Sequence, residues 1–304
     1  MPAPTFDDLP SFNIPLEIAD KGCCGKALRA AEFLYKHFGL SPQMVPRTLI
    51  VLGSGLGEAL VIKDEQAIDL SEIPGFEGLP THPTHKRQLC FGSISGRLVF
   101  VLRGRIHLNE GPNDQAHLDR LRLMTEMFCV IGVKNYVLTA AVGAIYYALP
   151  WWKRVFVPNP LGAMAFIDGF FTQFAPVRCG RSAEFACKEG LLDPELIQKA
   201  ERVARLSGFR TVRGVHGMII GPYFETWFDK LTLAKLGVKV VGMSILPEVD
   251  IVSLYNDGTM RVLPVGLVTN LDRGRHSDKE IRAKVGGAVV KFADFIGGLL
   301  QVIG

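Results

Sequence analysis

Apolar side chains recur along this chain in two rhythms. Between residues 25 and 38, Leu28, Ala31, Phe33, Leu34 and the pair His37–Phe38 return at helical spacing, which predicts a helix. Residues 47–52 (RTLIVL) are instead a short apolar run with β-branched members, followed by Gly53, Gly55 and Gly57. That reads as a buried strand running into a glycine turn. Segments 89–92 and 97–102 flank Ser95–Gly96 as a hairpin. Residues 114–131 are amphipathic at the helical period, and 136–139 and 154–157 read as strands. A helix is predicted over 193–206, with Pro194 in its first turn. Strand-like 213–220 precedes a helix over 226–236 that Gly237 closes, and a strand over 238–243 follows. A short helix over 247–255 ends at 256–258, a long strand covers 260–268, and a closing helix covers 277–302.

Short apolar strands alternating with helices predict an α/β fold with a mostly parallel sheet. Residues 1–22 are proline-rich and aperiodic and are assigned to an N-terminal arm. With no internal repeat and no clear linker, residues 23–304 are read as one domain.

The 304 residues carry 34 Lys and Arg against 30 Asp and Glu, a net charge of +4 with no basic block. That balance gives no footprint for nucleic acid. Apolar residues are 48% and charged residues 21%, which excludes a disordered chain. The mean hydropathy of +0.22 is high, and much of it comes from residues 135–152, which contain no charged side chain. Such a stretch raises the question of a membrane span. Against a span stand Thr139, Gly143 and Pro150, and a strand buried on both faces reads just as apolar. None of the six cysteines forms a C-x-x-C pair, so neither a zinc ribbon nor a redox motif is expected. Cys90 and Cys129 sit in apolar runs as buried thiols. Residues 1–15 hold Asp7, Asp8 and several prolines and no apolar core, unlike a secretion signal, so a reducing cytoplasm is expected.

Five motifs carry candidate chemistry. In Leu52-Gly53-Ser54-Gly55-Leu56-Gly57, glycines let backbone N–H groups approach an anion, and Ser54 adds a hydroxyl donor. Glu58 stands where a dinucleotide fingerprint needs glycine, and no lysine follows for a Walker loop; a tight turn without a ligand is the plain alternative. In residues 103–111 (RGRIHLNEG), Arg105 and His107 share one face of an extended chain with Arg103 and Asn109, which suits a phosphate dianion or simply a solvated strand end. In 221–226 (GPYFET), Glu225 beside aromatics is an acceptor for a heterocyclic N–H, or a helix-start acid. In 241–248 (VGMSILPE), Ser244 between strand and helix is an anion donor or an N-cap. In 269–272 (TNLD), Asn270 ends a strand, where open α/β sheets bind ligands.

In order and spacing these motifs resemble one family, the trimeric purine nucleoside phosphorylases with their methylthioadenosine phosphorylase relatives. The resemblance covers residues 28–298. It is firmest at GSGLG 53–57, SEIPGF 71–76, GRIHLNEG 104–111, GPYFET 221–226, GMSILPE 242–248 and VTN 268–270. It implies a single α/β domain around a central mixed β-sheet flanked by helices, a homotrimer, no metal and no cofactor beyond inorganic phosphate as co-substrate. The implied reaction is reversible phosphorolysis of a purine (deoxy)ribonucleoside to free base and sugar 1-phosphate. By position, Ser54, His85, Arg105, the backbone N–H of Ala141 and Ser244 match the phosphate site. His107 matches the residue near phosphate and ribose, and Met243 the one that packs on the sugar. Phe224, Val241, Glu225 and Asn270 match the base pocket. Asn270, Glu225 and His107 are the implied catalytic set. Asparagine at 270 fits inosine and guanosine, whereas methylthioadenosine enzymes usually carry Asp there.

The chain also departs from the family's pattern. Ala140 stands where the family has Asn, Asn109 replaces the usual Tyr beside the ribose, and Asp278 aligns with the His that meets the 5′-hydroxyl. Residues 145–178 barely resemble the family's following loop. A non-catalytic or repurposed purine-binding member, or a 5′-methylthioadenosine phosphorylase, is therefore the alternative to an active enzyme of the inosine/guanosine type.

Overall fold

The run TLIVL forms β1 (Thr48–Leu52), buried at every position. It lies parallel between β4 (Arg97–Arg103) and β5 (Asn135–Ala144), and burial on both faces is why its residues show no polar alternation. The structure is a computed structural model and describes residues 25–80, 86–172, 187–188, 190–274 and 287–303. The N-terminal arm assigned to residues 1–22 lies outside the described residues.

From β4 the sheet continues antiparallel through β3 (Gln88–Ile94) to the edge strand β2 (Lys63–Asp69). On the other side of β5 come β8 (Val240–Gly242), β7 (Thr211–Met218), β6 (Met164–Phe171) and β9 (Arg261–Leu271). Strand β9 then pairs back onto β5, so β5, β8, β7, β6 and β9 close into a five-stranded ring. Closure removes exposed edges from this half of the sheet. The mostly parallel sheet expected from the strand–helix alternation is corrected to a mixed one. Pairs β2–β3, β3–β4, β5–β8 and β6–β9 run antiparallel, because hairpins and long returns interrupt the crossovers.

Helices cover both faces. On one, α1 (Gly25–His37) packs on α2 (Gln115–Ile131), which packs on α6 (Leu246–Tyr255). On the other, α4 (Pro194–Leu206) packs on α7 (Val289–Val302). Each pairing belongs to its own buried apolar cluster. The ends follow local chemistry. Asp114 accepts from the Ala116 N–H at the start of α2, and Gly132 closes it at φ 102°. Asp193 caps α4 ahead of Pro194.

Three segments differ from the sequence expectation. Residues 154–157 are not a strand: α3 (Trp151–Arg154) is a single helical turn after Pro150, and Val155 and Phe156 are 71% and 85% exposed. A β-branched run makes a strand only where a sheet edge can pair with it. Strand β2 was not predicted because its sequence KDEQAID buries only Ile68. Strand β6 (MAFIDGFF) was also missed, lying in the divergent region 145–178. The first part of the closing helix expected over 277–302 falls outside the described residues, and α7 supplies the rest.

The uncharged stretch 135–152 begins as β5, and no described helix is long and apolar enough to cross a membrane. The Asp272 carboxylate ties the following turn down, accepting from the N–H groups of Tyr147 at 2.7 Å and Ala148 at 2.6 Å.

One buried group predicts a pH-dependent stability. His216 on β7 is fully buried, neither ring nitrogen has a hydrogen-bond partner, and burial pulls its pKa down to about 4. An unfolded histidine titrates near 6.5, so between these values the unfolded chain binds the extra proton and stability falls as pH falls. The expected loss between pH 7 and 4 from this group is ~3 kcal/mol. Thermal unfolding across that range should show a shallower slope for His216→Phe than for the wild type.

Candidate active site

The carboxyl ends of β1, β5 and β9, with the turns after β4 and β8, converge on a cavity of about 430 Å³. This is where a ligand belongs in an α/β sheet, and the volume suits a small molecule. One end of the cavity is framed by glycine backbone and a buried arginine. Gly53 and Ser54 leave β1 there, facing Ala140 and Ala141 of β5. A Cβ on Gly53 would lie 2.7 Å from Ala140 Cα and 2.8 Å from the Thr139 carbonyl oxygen, so only glycine lets the two backbones meet.

Thr139 is the hub of this end. Its hydroxyl accepts from the Gly53 N–H at 3.0 Å and donates to the Val51 carbonyl at 2.9 Å. Its carbonyl accepts from Arg105 Nη2 at 2.6 Å. Arg105 is 1% exposed. Its Nε lies 3.2 Å from Glu248 Oε1, yet Nε and Nη1 make no hydrogen bond. Burial pulls the Arg105 pKa down, and the Glu248 charge pushes it back up. A buried guanidinium with unused donors beside a glycine turn is a receptor for an oxyanion.

His107 follows on the same loop. Its backbone N–H donates to Glu110 Oε1 at 2.9 Å, and its ring Nδ1 lies 3.2 Å from that oxygen. Arg87 ion-pairs with the same carboxylate. Burial alone would raise the Glu110 pKa, but the His107 and Arg87 donors outweigh it and hold it at about 2. The carboxylate favours the tautomer with hydrogen on Nδ1 and fixes the ring's orientation.

The other end is lined by aromatic, apolar, carboxyl and amide side chains. Phe224, Glu225, Val241, Gly242 and Met243 line it together with Asn270. Burial raises the Glu225 pKa from its ordinary value. Asn270 is aimed by a local irregularity: Val142 pairs with Val268 but Gly143 with Asn270, leaving Thr269 as the extra residue of a bulge in β9. The Thr269 hydroxyl lies 3.0 Å from Asn270 Oδ1, to which it donates. A Cβ on Gly143 would come 2.9 Å from Asn270 Nδ2, so glycine opposite the bulge leaves room for the amide.

Ser54, Arg105, His107, Asn109, Ala141, Phe224, Glu225, Val241, Met243, Ser244 and Asn270 all line this one cavity. His85 and Asp278 lie outside the described residues. Ser244 does not cap α6: Ile245 holds that position at φ 78°, a strained value for a β-branched residue. Glu225 does not cap α5 (Trp227–Lys235) either, since the Thr226 side chain accepts from the Asp229 N–H. Sequence reading overlooked Thr139, Thr269 and Glu248. Thr139 precedes the matched Ala141 and Thr269 opens the quoted TNLD, and only bulge and backbone geometry reveal their roles. Glu248 closes the quoted motif GMSILPE. Among the described residues, no group of three or more His, Cys, Asp or Glu side chains gathers to hold a metal ion.

Fold and cavity together define an α/β protein with one cavity at the carboxyl ends of its strands, a buried arginine at one end and a glutamate and an asparagine at the other. The chain belongs to the phosphorylase superfamily, whose family model matches residues 47–301. It is 29% identical over 248 residues to purine nucleoside phosphorylase 1 of Geobacillus stearothermophilus, covering 81% of this chain and 84% of that protein. The mouse (Mus musculus) purine nucleoside phosphorylase is 29% identical over 247 residues, 79% of this chain and 80% of its own. The crystal structure of Schistosoma mansoni purine nucleoside phosphorylase with adenosine matches with a TM-score of 0.76 at 25% identity, covering 91% of this chain and 97% of that one. A Schistosoma mansoni purine nucleoside phosphorylase structure in complex with inosine gives 0.75 at 25% identity, over 92% of this chain and 96% of that one.

Proposed function

We propose that this chain is a purine nucleoside phosphorylase, cleaving inosine- or guanosine-type nucleosides with inorganic phosphate. The single observation that carries this reading is the buried Arg105, with unused N–H donors, in the same cavity as Glu225 and Asn270. An oxyanion site and a base site at opposite ends of one cavity leave the sugar between them.

On this reading Arg105, Ser54, Ser244 and the Ala141 N–H hold phosphate, with His85 contributing. His107, steadied by Glu110, stands near phosphate and ribose, and Met243 packs on the sugar beside Asn109, with Asp278 toward its 5′ end. Phe224 and Val241 sandwich the base. The C–N bond breaks through an oxocarbenium-like transition state, with negative charge moving onto the purine. Asn270 donates to N7 and Glu225 accepts from N1–H, and both bonds strengthen as that charge develops. Phosphate attacks C1′ from the face opposite the departing base, so the sugar 1-phosphate forms with inversion.

Asparagine at 270, its Oδ1 accepting from Thr269, offers its amide N–H to a 6-oxopurine, which weighs against 5′-methylthioadenosine as substrate. The finer reading is a homotrimer working in cytoplasmic purine salvage. The exposed apolar side chains Trp151, Trp152, Val155 and Phe156, clustered in sequence, support assembly. The free buried thiols Cys90 and Cys129 support a reducing compartment.

The test is the ultraviolet change on base release. Hypoxanthine should appear from inosine only when phosphate is present, and 5′-methylthioadenosine should react far more slowly. The profile of kcat/KM for inosine should carry an acid limb above the ordinary carboxylate pKa. As pH falls through the raised value, Glu225 takes up a proton and stops accepting from N1–H. Glu225→Gln should lower kcat/KM and erase that limb. Base release that ignores phosphate would contradict the proposal.

A further inference from the structure

Glu248 raises a question of charge. It lies in the first turn of α6, is 2% exposed, and sets its Oε1 3.2 Å from Arg105 Nε. A carboxylate at this third helical position usually turns back to the N-cap backbone. Here no capping box forms, because the N-cap is Ile245 with no side-chain acceptor. The contact with Arg105 is also unusual. It is close enough for an ion pair, yet Glu248 Oε1, Arg105 Nε and Arg105 Nη1 all lack a hydrogen bond. The pair is held by charge and not by directional bonding. Burying a cation without a partner is costly, so a site that must release its anion needs another negative charge to take over. A negative charge fixed beside the same cation also opposes an arriving dianion.

We propose that Glu248 is a positioning residue that serves as resident counter-anion to Arg105, neutralising it between turnovers and competing with phosphate for it. This rests on reading the cavity as a phosphate site. Glu248 keeps the guanidinium paired and in place after sugar phosphate leaves. It also weakens phosphate binding enough for product to depart. The price in affinity is what the carboxylate's removal should return.

The isosteric Glu248→Gln variant separates these effects. Thermal unfolding and steady-state kinetics are run on wild type and variant, with inorganic phosphate titrated from zero. The wild type should be stabilised by phosphate; if it is not, the phosphate-site reading fails, whatever the variant does. Given that binding, Glu248→Gln should melt lower without phosphate and gain more from phosphate than the wild type. Its KM for phosphate should fall by about tenfold while KM for inosine stays unchanged. A merely structural role would lower stability without favouring phosphate over inosine. An unchanged or raised KM for phosphate would overturn the proposal. Should Glu248→Gln fold only in phosphate, that rescue supports the proposal. Should it fail to fold at all, Glu248→Asp, which withdraws the charge from Arg105, should lower the phosphate KM by a smaller factor, and no fall there overturns it.

Discussion

Replacing Arg105 by methionine is expected to lower kcat/KM for phosphate by about two to three orders of magnitude while leaving purine binding largely intact. The size follows from losing a preorganised cationic donor in a dry site. The same change strands the Glu248 carboxylate, buried at 2% exposure, with no cation beside it. Breaking a buried pair from one side costs about 3–5 kcal/mol, so the melting temperature should fall as well. Changing Arg105 and Glu248 together to methionine should recover stability without recovering activity. Activity assays with phosphate varied, alongside thermal unfolding of the two variants, measure both halves. A single variant that is as active as the wild type would remove Arg105 from the account.

The second large effect is expected at Asn270. Asn270→Ala should lower kcat on inosine by about a hundredfold or more, with a much smaller change in KM. The asymmetry arises because the bond to N7 gains most of its strength only as charge reaches the purine. The side chain is held by the Thr269 hydroxyl and faces Gly143, so its removal should leave the β9 bulge in place and the fold unaffected. Steady-state kinetics with inosine, compared with equilibrium binding of hypoxanthine, separates the two parameters. A rise in KM with kcat unchanged would make Asn270 a binding residue only.

Much of this site was legible in the sequence because its elements announce themselves locally. The run TLIVL followed by three spaced glycines can hardly be anything but a buried strand and a tight turn. Arg105 and His107 alternate on the loop after β4 and reach the cavity together, whereas Arg103, two residues earlier, ends the strand and pairs with Glu65. The hairpin around Ser95–Gly96 and the helix over 193–206 carry their own turn and cap residues. What stayed hidden depends on contacts between distant segments. Strand β2 is polar because it lies at the sheet edge, and nothing within KDEQAID records that β3 will pair with it. The segment 154–157 has strand-like residues but no partner, so it follows a helical turn instead. Thr139 matters because Gly53 and Arg105 both converge on it, from 86 and 34 residues away. Glu248 gains its meaning only when α6 brings it to Arg105.

The stretch 135–152, which raised the question of a membrane, supplies the strand that organises the site. It is apolar because β5 is packed on both faces, and it carries Thr139, Ala140, Ala141 and Gly143 to the cavity. Ala140, standing where the resemblance expects Asn, lies against the Gly53 turn, which would admit no side chain on that glycine. That end of the cavity is therefore tightly framed by backbone, with the buried Arg105–Glu248 pair beside it.

The most direct measurement is phosphorus NMR of the purified protein with inosine and inorganic phosphate. Phosphate should disappear as α-ribose 1-phosphate appears, one for one with hypoxanthine. Hypoxanthine formed with the phosphate signal unchanged, or nucleoside bound with no turnover, would contradict the assignment of this cavity to phosphorolysis.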